Sequence, residues 1–412
     1  MKDVLIITPG GLPVPSVRGG AVQNLIEHII KQNQHNNKIN LSIICPYDED
    51  AVAKANLEYD NTIFNWIKIP QIISIIDNMI YYIIKIAFKE TKAISFRNNV
   101  KMLYYAFQTG KHIKKTNYDC VVIENNVRLF WGIKLFGNKK RYNGRVVFHL
   151  HNIPRTTGGC KEEIQSCGRV FCVSEFVKNN ICSMSSKIGQ FRKEKVKVLY
   201  NCIDLMKFRQ NQDDNKRNDI RQKYGLDEKD IVVVFSGRLS AEKGVVEVIR
   251  AVSQINENRV KLLIVGADFY GMKTSSPYEQ KIQKEAEIIK ERVRFTGYID
   301  YDDMPDIYNA ADIAILPSMW DEPAGLTIIE AMACGIPVIT TRSGGIPEYV
   351  SDAAIVLERN ENLVDNIIYN LQSLVNNPEM RNIYSRMGIK RIQSYDSYQY
   401  YSRFISLIES II

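Results

Sequence analysis

Short runs of apolar, often β-branched residues alternate with stretches whose apolar residues recur at helical spacing. They do so in two consecutive series, and this alternation constrains the fold more than any other feature of the chain. Val4–Thr8, Leu41–Cys45, Cys120–Glu124, Val146–Leu150, Val170–Ser174 and Val196–Leu199 read as strands of the first series. Ile231–Ser236, Lys261–Val265, Val293–Thr296, Ile313–Leu316, Val338–Thr341 and Ala354–Val356 read as strands of the second. Strands that are apolar on both faces and separated by helices make parallel sheets covered on both sides. The chain is therefore expected to be α/β, with two doubly wound, Rossmann-like domains over residues 1–205 and 206–395 facing each other across a cleft. The polar stretch Asn201–Arg221 is the expected linker. The amphipathic stretch Tyr398–Ile412, within 396–412, predicts a terminal helix that could pack on either domain.

A chain of 412 residues with 45% hydrophobic and 24% charged content can bury two cores. Met1 leads directly into the first strand without the basic start and long apolar stretch of a secretion signal, so a cytoplasmic protein is expected. Eight cysteines without a Cys-x2-Cys pair point to reduced thiols, and no metal site is expected. Of the net charge of +8, most comes from residues 63–115, where nine basic residues face two acidic ones. The same segment carries Ile72, Ile73, Ile76, Met79, Ile80, Ile83, Ile84 and Ala87 at helical spacing, but Pro70, Asp77 and Lys85 interrupt it too often for a bilayer span. Two readings stand side by side. The segment attaches to an anionic membrane surface, or it forms helices that bury the isoleucine stripe in the first domain. Nucleic acid is not an expected partner, since the basic residues accompany isoleucines rather than a nucleic-acid motif.

In open α/β sheets ligands bind beyond the carboxyl ends of the strands, so chemistry is sought there. After Ile313–Leu316 comes Asp321-Glu322-Pro323-Ala324-Gly325-Leu326-Thr327-Ile328-Ile329-Glu330, in which Leu326 to Cys334 reads as a helix closed by Gly335. The amides of Gly325, Leu326 and Thr327 at its start would cradle a phosphate. Glu330, one turn inside, would accept the hydroxyls of a ribose diol, and Glu322 in the loop would face the transferred sugar. Gly237-Arg238-Leu239-Ser240-Ala241-Glu242-Lys243-Gly244 leaves the strand Ile231–Ser236, which puts Arg238 and Lys243 where a diphosphate needs cations. In the first domain, Arg18-Gly19-Gly20-Ala21 opens a helix with room for close backbone approach, although no Gly-x-Gly-x-x-Gly is present. His149 and His151 share one face of a strand end, and one of the two can be packing while the other is functional. P-loop, His-Glu-x-x-His and Gly-x-Ser-x-Gly motifs are absent from the sequence, which disfavours nucleoside triphosphatases, zincins and common serine hydrolases.

The chain resembles the family 4 glycosyltransferases, retaining enzymes of the GT-B fold. The resemblance is densest over Val232–Tyr349, through Gly237-Arg238-Leu239, Lys243-Gly244, the Glu322-x7-Glu330 spacing and Ser343-Gly344-Gly345-Ile346-Pro347-Glu348. Arg18-Gly19-Gly20-Ala21, His151-Asn152, Val173-Ser174-Glu175-Phe176 and Leu199-Tyr200-Asn201-Cys202-Ile203-Asp204 extend it. Cys202 stands where the family more often has glycine, and Ala324 where an aromatic is common. The resemblance implies an acceptor-binding first domain, onto which the final helix crosses back, and a donor-binding second domain. It implies a metal-independent, retaining hexosyl- or deoxyhexosyltransferase without a cofactor, whose donor is a nucleotide sugar, taken as a UDP-sugar. The acceptor would be a glycan or lipid-linked, in the synthesis of a bacterial capsule or other surface polysaccharide. Arg238 and Lys243 would stabilise the departing diphosphate, Glu322 would meet the sugar near its reacting carbon, and His151 a sugar hydroxyl. Gly20, Gly237, Gly325, Leu326, Thr327, Glu330 and, near the base, Tyr298 would hold the donor. Two alternatives remain: a non-catalytic sugar-nucleotide-binding or coat scaffold of the same fold, and a metal-dependent transferase using Asp48-Glu49-Asp50.

Overall fold

In the computed structural model, which describes residues 1–87, 97–211, 213–266 and 277–411, the apolar runs become two parallel sheets in two units. One unit is Met1–Tyr200 with Ser397–Ile412, and the other is Asn201–Asp396. The first sheet has seven strands: β1 (Lys2–Ile7), β2 (Ile39–Pro46), β3 (Thr62–Ile67), β4 (Cys120–Glu124), β5 (Val146–Leu150), β6 (Arg169–Cys172) and β7 (Val196–Val198), in the order β3-β2-β1-β4-β5-β6-β7. Val4, Leu5, Ile6 and Ile7 of its central strand are fully buried, as a strand covered on both faces requires. The second sheet has six: β8 (Ile231–Ser236), β9 (Val260–Val265), β10 (Val293–Gly297), β11 (Ile313–Leu316), β12 (Val338–Thr341) and β13 (Ile355–Leu357), in the order β10-β9-β8-β11-β12-β13. Strand order reverses between β1 and β4 in the first unit and between β8 and β11 in the second, and loops leaving adjacent strands diverge at such points to leave room for a ligand.

Three sequence expectations are corrected. β3 was not foreseen: it is an edge strand with Ile63 exposed and Phe64 to Ile67 only half-buried, so its apolar signal is diluted. The expected linker Asn201–Arg221 contains most of a helix, Asp214–Lys223. That helix is held by guanidinium groups rather than by apolar burial: Arg221 donates to the carbonyls of Ala310, Glu228 and Asp230 and to the carboxylate of Asp312, which also takes Arg217. Of the two readings of residues 63–115, burial of the isoleucine stripe holds only for Ile73 and Ile84, which are half-buried, while Ile72, Ile75, Ile76, Met79, Ile80, Ile83 and Ile86 of the helix Gln71–Ala87 are exposed. Lys89, Glu90 and Lys92 of the basic segment lie outside the described residues, as does Ile412.

The terminal helix Ser397–Glu409 belongs to the first unit and packs on Ala21–Asn36. Phe404 is fully buried with its ring edge-on to Phe171, Tyr401 donates its hydroxyl to Asn33 Oδ1 at 2.6 Å, and Gln32 donates to Ser397 Oγ at 3.1 Å. Phe404→Ala removes a fully packed ring, so it is expected to lower the unfolding free energy of the first unit by about 3–5 kcal/mol in denaturant titrations. A change below about 1 kcal/mol would show that the helix is not an integral part of that unit's core.

Candidate functional site

The loops leaving β8 and β11 meet at the switch point of the second sheet. Between them, the ammonium of Lys243 donates to Glu322 Oε1, and Ser318 Oγ reaches the same oxygen at 3.4 Å. Lys243 closes a 3-10 turn, Ala241–Lys243, and the amide of Met319 donates to the Glu242 carbonyl at 2.8 Å, so the two loops share a backbone tie as well as an ion pair. Arg238, half-exposed, lies 3.6 Å from Glu242. The Ser343-Gly344-Gly345 motif proves to be a clamp on Glu322. A Cβ on Gly344, whose φ is +57°, would fall 2.1 Å from the Glu322 carbonyl oxygen, and the Gly345 amide donates to that oxygen at 2.7 Å.

Gly325 takes φ +87° and starts the helix Leu326–Ala333 without any side-chain cap, leaving the first amides, including those of Leu326 and Thr327, aimed off the helix end. Glu330 is buried one turn on and accepts the Tyr308 hydroxyl at 3.2 Å, while that hydroxyl also meets Ser236 Oγ at 2.7 Å. Burial outweighs the Tyr308 hydrogen bond and pushes the Glu330 carboxyl up to about 7. Gly237, with φ +147°, begins the β8 loop, and Tyr298 stands more than half exposed just past the end of β10, on the same carboxyl edge of the sheet. A polar cavity of about 180 Å³, lined among others by Arg217, Asp312, Gly335 and Arg381, lies instead at the amino ends of β11 and β12, away from Lys243 and Glu322. Cys202, buried, keeps φ outside the left-handed region, so its backbone does not call for the glycine more usual there.

In the first unit Gly20, at φ +108°, precedes the helix Ala21–Asn36, and Arg18 pairs with Asp48 and Asp50. Asp48 also accepts the amides of Asp50 and Ala51 as the cap of Glu49–Glu58, so a helix cap and an ion pair account for the acidic turn. At the ends of β4 and β5 a group appears that sequence reasoning found only by half. Glu124 pairs in register with His149 and is buried beneath both histidines: His149 Nδ1 stands 3.2 Å from Oε1 and His151 Nε2 2.8 Å from Oε2. An ionised carboxylate only accepts, so each of these ring nitrogens carries the proton. Burial alone would raise the Glu124 carboxyl, but His149 and then His151 overcome it and hold it at about 2. Burial, and next the neighbouring His149, bring His151 down to about 4, which leaves the ring neutral at pH 7 with Nδ1 as an acceptor. Glu124, His149 and His151 also offer ligand atoms within 4.8 Å of one another, the set among the described residues that could hold a metal ion. No signal in the linear sequence joins Glu124 to the histidines, because strand pairing creates the contact.

Residues 216–391 match the family model described as glycosyl transferases group 1. Among curated relatives, spore coat protein SA of Bacillus subtilis is 28% identical over 85% of this chain and 84% of its own length. A lipopolysaccharide 1,2-N-acetylglucosaminetransferase of Salmonella typhimurium is 27% identical over 56% of this chain and 57% of its own. The fold is shared over the full length of both chains by Anabaena HepE, solved in complex with UDP-glucose, at a TM-score of 0.73 and 18% identity. Because Glu330 ionises later in the folded chain than in the unfolded one, its contribution is intact below the ordinary carboxyl range and is lost as pH rises to about 7. Unfolding free energy of the ligand-free protein is expected to fall by roughly 3 kcal/mol between about pH 4.5 and pH 7 relative to Glu330→Gln, whereas parallel pH profiles for the two proteins would contradict the burial account.

Proposed function

We propose that this chain, whose residues 216–391 match the glycosyl transferases group 1 family, is a glycosyltransferase that moves a hexosyl or deoxyhexosyl group from a nucleotide diphosphate sugar with retention and without a metal. The observation that carries the reading is the Lys243–Glu322 pair in front of an uncapped helix start. As the glycosidic bond breaks, the departing diphosphate gains negative charge. Lys243, Arg238 and the amides of Gly325, Leu326 and Thr327 are the fixed positive groups assigned to it, with Gly237 at the base of their loop. Lys243 exchanges Glu322 for the diphosphate, and Glu322 turns to a sugar hydroxyl near the reacting carbon. Glu330 accepts the ribose hydroxyls, Tyr298 lies by the base, and Gly20 admits the donor close to the backbone. His151, held by Glu124 with Nδ1 as acceptor, accepts a hydrogen bond from a sugar hydroxyl. A front-face attack follows, with a phosphate oxygen taking the acceptor proton.

A UDP-sugar is the donor we favour, supported by the UDP-glucose complex of the fold neighbour. A glycan or lipid-linked acceptor in bacterial surface polysaccharide synthesis is supported by the lipopolysaccharide relative. The chain would then work in the cytoplasm, at the inner face of an anionic membrane reached through residues 63–115. Among the described residues, no helix is long and apolar enough to cross a membrane. A second reading, a non-catalytic sugar-nucleotide-binding or coat scaffold, is favoured by the name of the Bacillus subtilis relative. Purified protein releasing nucleoside diphosphate from a donor panel separates the two.

Lys243→Ala and Arg238→Ala are each expected to lower kcat/KM for donor cleavage on the order of ten- to a hundred-fold, with activity unchanged by EDTA. Unaltered rates in both variants would remove the diphosphate assignment, and activity lost to EDTA and restored by zinc would turn Glu124, His149 and His151 into a metal site. Glu124→Gln offers one acceptor and one donor to two imidazoles, so one ring must change tautomer. A fall in kcat/KM of about tenfold or more is expected, matching His151→Ala and not adding to it in the double variant. Fully multiplicative losses would show that Glu124 acts independently of His151.

A further inference from the structure

The helix Gln71–Ala87 is apolar on most of its circumference, with Ile73, Tyr81 and Ile84 half-buried on the side of Asp77 and the remaining isoleucines turned out. Its one buried residue is Asp77, whose carboxylate accepts the amides of Asn98 and Val100 at 2.8 Å each and so caps the helix Asn99–Lys115. That cap fixes which side of the helix faces the fold. Ile72, Ile75, Ile76, Met79, Ile83 and Ile86 follow the spacing of a single helical stripe and are 39% to 87% exposed, with Ile80 and Tyr82 also exposed. An outward apolar stripe of this length, on a helix whose inward side is pinned by a carboxylate, has the character of a docking face rather than of a core.

Charge identifies what it docks on. In the described parts of residues 63–115, Lys68, Lys85, Arg97, Lys111, Lys114 and Lys115 are exposed basic groups, Lys101 is half-buried, and the acidic residue is Asp77, which is buried. Among the described residues of this segment the exposed charge is of one sign, and two of its cations adjoin the stripe: Lys85 is on the helix itself and Arg97 lies over the ring of its Tyr81 at 5.7 Å. A second copy of the chain would bring like charges together, while an anionic surface is complementary to both features at once. Interrupted by Asp77 and Lys85, the helix is suited to lie in the headgroup boundary, and among the described residues no helix is long and apolar enough to cross a membrane.

We infer that Gln71–Ala87 is an in-plane anchor that seats the first unit on an anionic phospholipid bilayer, with isoleucine and methionine side chains in the acyl boundary and lysines at the headgroups. The inference deepens the membrane attachment given under the proposed function by naming its contact face. It rests on the geometry of one helix and is tested by binding alone, so it stands or fails separately from sugar transfer.

The test is flotation of the purified full-length chain with phosphatidylcholine vesicles, with and without phosphatidylglycerol, at low and high salt. Wild type should float with phosphatidylglycerol vesicles at low salt and lose binding on salt addition, on the order of fivefold per screened basic residue. The triple variant Ile76→Glu, Met79→Glu, Ile83→Glu should bind at least about tenfold more weakly. Its thermal midpoint should be unchanged, because these side chains are exposed. The double variant Lys85→Ala, Arg97→Ala should weaken binding only at low salt. Wild type that stays unbound, binds equally without phosphatidylglycerol, or floats as well with the glutamate variant overturns the inference. So does a dimer in light scattering that the glutamate variant dissociates, which would assign the face to a second copy of the chain.

Discussion

The contact between Lys243 and Glu322 is the constraint around which the second unit is arranged. Two loops from neighbouring parallel strands, β8 and β11, diverge where strand order reverses, and a cation from one meets a carboxylate from the other. Neither group could hold its place on a loose loop. The Met319 amide ties the two loops together, and in the loop after β12 Gly344 approaches the Glu322 carbonyl at a spacing that admits no Cβ while the Gly345 amide donates to it. Without a ligand the carboxylate occupies the lysine. On the proposed reading a donor diphosphate would compete with the Glu322 carboxylate for the Lys243 ammonium.

Much of this was legible in the order of residues. Ile231–Ser236 and Ile313–Leu316 are strands at the bounds their apolar runs suggest, because a central parallel strand is buried on both faces and reads as a continuous apolar run. Glu322, Gly325 and Glu330 were legible because a loop and a helix start, both local features, position them. What escaped was non-local or polar. β3 sits at a sheet edge with half-buried residues, and Asp214–Lys223 is held by arginines that read as linker composition. Glu124 joins His149 and His151 only through the pairing of β4 with β5, more than twenty residues apart in the chain.

The isoleucine stripe shows a different limit of periodicity. Helical spacing predicts that a helix has two unlike faces, and it is silent on which of them turns inward. Here a single carboxylate decides. Asp77 is spent on the amides that begin the following helix, and everything opposite to it is turned out. The two units thus use buried acids in three ways. Asp77 caps a helix, Glu124 sets the protonation of two imidazoles, and Glu330 is pushed up to about 7 by burial.

The central claim is that the nucleotide diphosphate sits at the carboxyl edge of the second sheet, against Lys243 and the start of Leu326–Ala333. Photo-crosslinking with an azido-uridine diphosphate sugar, followed by peptide mapping, tests it directly. Labelled peptides are predicted to come from the β8 loop, the segment after β10 and the stretch from Glu322 to Glu330, with labelling suppressed by unmodified UDP. Labelling confined to the cavity around Arg217, Gly335 and Arg381, at the opposite end of the strands, would contradict the account.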